Sequence, residues 1–266
     1  MTPLTSGALM ILVGAAVFAG SWAVRTRFAR RLEQVDPAPW SSTLSYVATA
    51  YGVVVGFSIL FLFGQFSDAR NAVGDEATSI GTAFEEAALF PDSRDGIQEA
   101  LICYARSVPE YDWPALREGT SAPEVDRTFR ALVRSLGPDD QPATGALHAG
   151  AATNLVSQVG SISTARETRL VAAETQVPPM LWVLLFGGGA FVVGLIFVVT
   201  LPAGPRTQAG LVAMSGVFTT VMLLLVVALA TPFASGSGRV SPRLIEETTA
   251  TMEQAFAAPI ECDPQE

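Results

Sequence analysis

One uninterrupted stretch, from Leu44 to about Phe90, constrains this chain more than any other feature. Residues 44–66 are apolar and uncharged, and they exceed the roughly 20 residues that a helix needs to cross a bilayer. No proline follows until Pro91, and Gly64, Gly74 and Gly81 stand alone. The stretch reads as one helix that leaves the membrane and continues into water over residues 67–90. At about 100° per residue, Gly52 and Gly56 share one side as a GxxxG pair that lets another helix come close. Phe57, Phe61, Asp68 and Asp75 fall on the opposite side. In the water-exposed half, Val73, Ala77, Ile80 and Phe84 form an apolar stripe for packing. Asp68, Asn71, Asp75, Thr78 and Thr82 form a polar stripe facing away from it.

Three further segments qualify as spans, residues 5–24, 180–201 and 209–231. Half of the residues are hydrophobic, which argues against an ordinary soluble domain. The first segment is unlike a signal peptide. It has no charged leader, and Arg25, Arg27, Arg30 and Arg31 follow it as a stop-transfer pattern. The net charge is −9 and no basic tract is present, so no nucleic-acid partner is expected.

The dense Arg cluster after the first span places that loop in the cytoplasm by the positive-inside rule. Asp36-Pro37-Ala38-Pro39-Trp40 breaks the helix there, with Trp40 as an interfacial anchor. Residues 202–208, carrying Arg206, share that side. Both termini and residues 67–179 are then expected outside the cytoplasm, in the inner (plasma) membrane of a cell. Arg70, Arg166, Arg169, Arg239 and Arg243 pull the other way, but the first helix usually dominates.

Residues 67–179 are expected to be all-helical. Pro91-Asp92-Ser93 ends the rod and caps a helix over residues 94–108. Residues 109–119 read as a turn. Ser121-Ala122-Pro123-Glu124 has the pattern of a capping box, with Ser121 as N-cap, before a helix to Leu136. Asp139–Gln141 opens a last helix reaching toward Gln176, with Leu147, Leu155, Val159 and Ile162 on its packing side. In the third span, Gly187-Gly188-Gly189-Ala190 with Gly194 suits close helix packing rather than phosphate binding, since no Lys or Ser/Thr follows. Residues 231–238 form an extended turn. Ser241-Pro242 then starts a helix to about Ala257, whose apolar edge can dock on the inserted domain.

Several stretches together resemble a known family. They are Glu76-Ala77, Leu89-Phe90-Pro91, Tyr104-Ala105-Arg106, Asp112-Trp113-Pro114-Ala115-Leu116 with Gly119, and Arg166 with Arg169-Leu170. The segment from Pro178 to Trp182 adds to them, as do Pro232-Phe233 with Gly236 and Val240-Ser241-Pro242. The chain from about Leu44 onward resembles a bacterial four-span membrane family of unknown function often labelled bestrophin-like. Asp112 stands where that family usually has Glu. The label implies an oligomeric anion channel with a hydrophobic neck in the second span, where Phe57 and Phe61 lie. It also implies cytosolic termini, opposite to the reading of the Arg cluster.

The residues themselves suggest few chemical sites. Asp68, Asp75 and Glu76 could ring a pore mouth and attract cations, or be a solvated helix face. Arg106, Asp112 and Trp113 form either an anion site or a structural cluster in which Trp113 plugs the bundle and Arg106 pairs with Asp112 or Glu110. Cys103 and Cys262 lie on the same side of the membrane, where a disulfide competes with two unrelated free thiols. His148 is alone, so neither a metal site nor His-based catalysis is expected. No cofactor is expected and the chain does not read as an enzyme.

The expected architecture is an all-α membrane protein. Residues 1–66 carry spans one and two, and residues 67–179 form an inserted helical domain. Residues 180–231 carry spans three and four, and residues 232–266 are a tail docking on the inserted domain. Two functions stand. One is a homo-oligomeric ion channel lined by the second span, with the bilayer and inorganic ions as partners. The other is a non-conducting membrane protein whose helical domain binds a partner or senses a ligand.

Overall fold

The computed structural model describes residues 3–32, 35–137, 146–174, 177–234 and 239–262. Its elements are helical: α1 (Pro3–Arg27), α2 (Ala29–Leu32), α3 (Ala38–Ala87), α4 (Arg94–Ser107), α5 (Trp113–Arg117) and α6 (Pro123–Ser135), followed by α7 (Ala146–Glu174), α8 (Pro179–Val199), α9 (Pro205–Ala230) and α10 (Arg243–Ala255). Four of them, α1, α3, α8 and α9, are long and apolar enough to cross a membrane. The chain is an all-α membrane protein with four transmembrane helices. The second of these runs on as one helix of 50 residues, as the lack of breakers between Trp40 and Pro91 requires.

The chain divides into two units, residues 1–64 with 176–231, and residues 65–175 with 232–266. In the membrane unit, α1 packs along α9. Close approach there depends on glycine: a Cβ on Gly216 would meet Val17 at 3.2 Å, and one on Gly14 would meet Val217 at 3.0 Å. α3 meets α8 where Tyr51 lies over Gly188 and Gly189, within 2.8 and 2.7 Å of the space a Cβ would fill. The Tyr51 hydroxyl donates to the Leu185 carbonyl at 3.0 Å. At the Arg25 end of α1, the guanidinium donates to the Leu201 carbonyl at 2.6 Å and to Gln208 Oε1 at 2.7 Å. That end therefore lies beside the short α8–α9 connection.

Among the described residues, nothing outside their own stretch of helix lies within 4 Å of a Cβ built on Gly52, Gly56 or Gly194, so these glycines are not used for close packing within one chain. Gly52 and Gly56 instead line an apolar groove of about 640 Å³, shared by α3, α8 and α9.

In the second unit, α3, α4, α5, α6, α7 and α10 enclose one core. Ile80, Leu101, Ile102, Tyr104, Leu132, Ile162 and Ile245 are fully buried in it. The expected turn at residues 109–119 is instead mostly helical. One π-helical turn, Val108–Asp112, continues α4 and leads directly into α5. Pro109 and Pro114 sit in first turns, where the missing N–H costs nothing. Gly119 then closes the segment at φ +72, a conformation that favours glycine. The Ser121 capping box does not form. Ala122 is the N-cap of α6, and its N–H donates to Asp112 Oδ1 at 3.0 Å. A buried carboxylate from a distant turn has replaced the local cap. The helix start expected at residues 139–141 and part of the turn at 231–238 lie outside the described residues.

Candidate functional site

Two faces of α3 carry the charged and aromatic residues that sequence singled out. On the outer face, Phe57 and Phe61 are 69% and 64% exposed. Asp68, Asn71, Asp75 and Thr78 are exposed on the same helical stripe. Among the described residues, neither Asp68 nor Asp75 has an ion pair. Both line a groove of about 940 Å³ between α3 and α7, whose far wall is Ser157, Ser161, Thr164 and Thr168. A second groove, of about 580 Å³, runs on the other side of Asp75, between α3 and α10. This outer face is polar, hydroxyl-rich and acidic along the second unit.

The inner face of α3 is different. Glu76, next to Asp75, is fully buried on the stripe that holds Val73 and Ile80. A buried carboxylate needs a partner, and Glu76 has two. Arg169 of α7, also fully buried, grips it through Nε–Oε2 at 2.9 Å and Nη2–Oε1 at 3.2 Å. The Tyr104 hydroxyl of α4 donates to Oε1 at 2.5 Å. Arg169 Nη2 also lies 3.0 Å from Asp112 Oδ2, and its guanidinium carbon sits 5.4 Å from the centre of the Trp113 ring. Arg166, one turn earlier on α7, bonds Asp126 at 2.5 Å and lies 4.0 Å from Asp112. Phe233 meets Trp113 edge-on at 5.8 Å.

The electrostatics follow from this geometry. Burial pushes the Tyr104 phenol well above its ordinary value of 10.0, and the adjacent Glu76 carboxylate adds to that. Burial pulls Arg169 the other way, but Glu76, Tyr104 and Asp112 together more than offset it and raise its pKa. The cluster brings a phenol, two acidic side chains and a guanidinium together inside the core and ties α3, α4 and α7 to one another there.

The structure rearranges the cluster expected from sequence. Asp112 and Trp113 stay together, but Arg106 is elsewhere. It is partly exposed and bonds Glu253 of α10 at 2.5 Å. A fully buried Asp112 requires a buried cation, and Arg169 supplies it. Glu76, expected with Asp68 and Asp75 on the open face, belongs to this interior cluster instead. Cys103 and Cys262 are bonded to each other in the structure. Among the described residues no group of His, Cys, Asp and Glu could hold a metal ion.

Six of the residues that carry the family resemblance converge here. Glu76, Tyr104, Asp112, Trp113, Arg166 and Arg169 come from five separate elements and meet in one network. A family model described as the bestrophin-like domain matches residues 11–245. No curated protein matches the chain in sequence. Among solved structures, a bacterial bestrophin homologue from Klebsiella pneumoniae superimposes with a TM-score of 0.70 at 13% identity, covering 97% of this chain and 100% of that one. A single-substitution variant of the Klebsiella pneumoniae homologue gives 0.71 at 12% identity, over 96% and 99%. Another structure, described as that of a membrane protein, gives 0.73 at 12% identity, over 94% and 98%. With a family match over most of its length and the same helical architecture, this chain belongs to the bestrophin-like family.

Proposed function

We propose that the protein is a homo-oligomeric ion channel in the inner (plasma) membrane, with α3 of each copy lining a shared axis. The outer face of α3 carries the reading. Phe57 and Phe61 stand exposed at membrane depth, and Asp68 and Asp75 stand exposed and unpaired further along the same face. Large aromatics at membrane depth followed by exposed carboxylates on the same face suit a narrow apolar constriction followed by acidic rings. Carboxylate rings favour inorganic cations over anions. Replacing Phe57 and Phe61 together with Ala is expected to raise ion flux in liposomes. Zero flux from both the parent and the variant, in a preparation shown to be oligomeric, would count against conduction.

One observation favours a non-conducting membrane protein whose helical domain binds a partner or senses a ligand. Ser58 is the sole polar residue between Tyr51 and Gln65, and its hydroxyl is already bonded to the Val54 carbonyl at 2.8 Å. A constriction that conducts must therefore widen or wet.

The orientation proposed puts residues 65–175 and both termini outside the cytoplasm. Arg25 and Arg206 sit at the end of the membrane unit that carries the α8–α9 connection, and that is the cytoplasmic side by the positive-inside rule. The Cys103–Cys262 bond agrees, because disulfides persist in oxidising compartments. A reporter fused near Gly119 is expected to behave as exported. A fusion active only in the cytoplasm would reverse the orientation. No enzymatic reaction is proposed.

A further inference from the structure

The Cys103–Cys262 bond joins α4 to the segment after α10, across a sequence separation of 159, with Cα atoms 5.3 Å apart. It lies at the surface rather than in the core, since both cysteines are only partly buried. A pocket of about 260 Å³ opens on the bond, walled by Glu99, Arg127, Arg134 and Glu261 beside the two cysteines. Two guanidinium groups and two carboxylates line it, so the pocket is polar without an excess of either charge. Arg106 Nη1 lies 4.0 Å from Cys262 Sγ while its Nε holds Glu253. A neighbouring guanidinium stabilises a thiolate, and a more stable thiolate is a better leaving group in disulfide exchange. Access and leaving-group activation are the two features that separate labile disulfides from inert ones.

We propose that this bond is an exchange site for a dithiol reductant and that its opening releases a clasp on the C-terminal segment. A thiolate of the reductant attacks Cys103 Sγ, the S–S bond breaks, and Cys262 leaves as a thiolate beside Arg106. The second thiolate of the reductant then attacks the mixed disulfide. Cys103 is released and the reductant becomes a disulfide. Two electrons pass from the dithiol to the cystine, and two protons end on Cys103 and Cys262.

The clasp holds the segment that follows α10. Ile245 and Met252 keep α10 itself seated in the core, and after Ala255 the segment is held by Phe256 and Ile260 packing on the core, by the disulfide and by the Glu261 N–H donating to Glu99 at 2.9 Å. Opening the bond removes the one covalent tie and leaves the residues around Cys262 held by weaker contacts alone. The proposal holds whether or not the protein conducts ions.

The test uses the full chain in detergent without denaturant, with dithiothreitol as the dithiol and alkylation mass spectrometry as the readout. The bond is expected to be reduced while the domain stays folded, and amide exchange over residues 257–262 is expected to rise afterwards. Arg106→Gln is expected to slow reduction about three-fold, as a one-unit change in leaving-group pKa does at a Brønsted coefficient near 0.5. Arg106→Lys is expected to restore most of the rate. Glu253→Gln, which removes the ion pair but keeps the Arg106 charge, should not slow it. Reduction only on unfolding, or equal rates for Arg106→Gln and the parent, would overturn the proposal. So would protein isolated without reductant with both thiols free.

Discussion

Asp75 and Glu76 are adjacent carboxylates on one helix, and they live in opposite environments. Asp75 stands in an open groove with serine and threonine hydroxyls opposite and, among the described residues, no ion pair. Glu76 is fully buried, held by a two-point Arg169 contact and a phenol. A step of about 100° around α3 is enough to turn a solvated charge into a structural one. The difference separates the two faces by environment. The inner face commits its charge to a buried network. The outer face keeps its charges unspent, available to whatever occupies the groove.

Breaking the inner face should have the largest effect. Glu76→Ala leaves Arg169 buried with Asp112 as its remaining anion, and Arg169→Met leaves two buried carboxylates facing each other. Either change is expected to cost about 3–5 kcal/mol, the usual penalty for stranding a buried charge. Denaturant unfolding of the full chain, followed by a probe in the second unit, measures it. Asp75→Asn in the same assay should leave the midpoint unchanged. A loss at Asp75 as large as that at Glu76 would erase the contrast.

Tyr104 gives a medium effect with a pH signature. Tyr104→Phe removes a hydrogen bond to a buried carboxylate, worth about 1.5–3 kcal/mol. The folded chain keeps the phenol proton well above the ordinary 10.0 at which the unfolded chain releases it. This contribution to stability is fully present below pH 10 and is lost as pH rises toward the folded value. Stability is expected to fall above pH 10 in the parent and less steeply in Tyr104→Phe. Identical alkaline slopes would place the Tyr104 phenol outside the network.

The smallest expected effect on stability, and the largest on function, belongs to the outer face. Asp68→Asn with Asp75→Asn should fold as the parent does. It should lower cation-over-anion permeability several-fold in planar-bilayer reversal potentials. An unchanged ratio in a conducting preparation would remove these carboxylates from the ion path.

Much of this architecture is legible from apolar runs and breakers. The long helix follows from the absence of proline between Pro39 and Pro91, and the spans follow from hydropathy. The interior network was harder to see, because its members lie far apart in sequence and meet only in three dimensions. A signal was present nonetheless. Ala69, Val73, Glu76, Ile80 and Ala83 step by four and three along one buried stripe, and Leu155, Ile162 and Arg169 step by seven along another. An acid and a base at apolar-stripe positions on two helices imply that the helices meet there. The π-helical turn at residues 108–112 was not legible, because Pro109 and Pro114 read as breakers when each in fact occupies a first turn. Nor could spacing show that Arg106 turns outward to Glu253, since a helix carries its pairs three or four residues apart and this partner lies on α10.

If the outer face of α3 meets the same face of other copies, as proposed above, its residues come within reach of their counterparts. Cysteine cross-linking tests this most directly. Single cysteines are placed at residues 68 to 78 in a Cys103→Ser, Cys262→Ser background and oxidised in native membranes. Covalent dimers are expected at Asp68, Asn71, Asp75 and Thr78, stepping by three and four, and none at Ala69, Val73 or Glu76. Monomer at every position, or cross-links without that period, would contradict it.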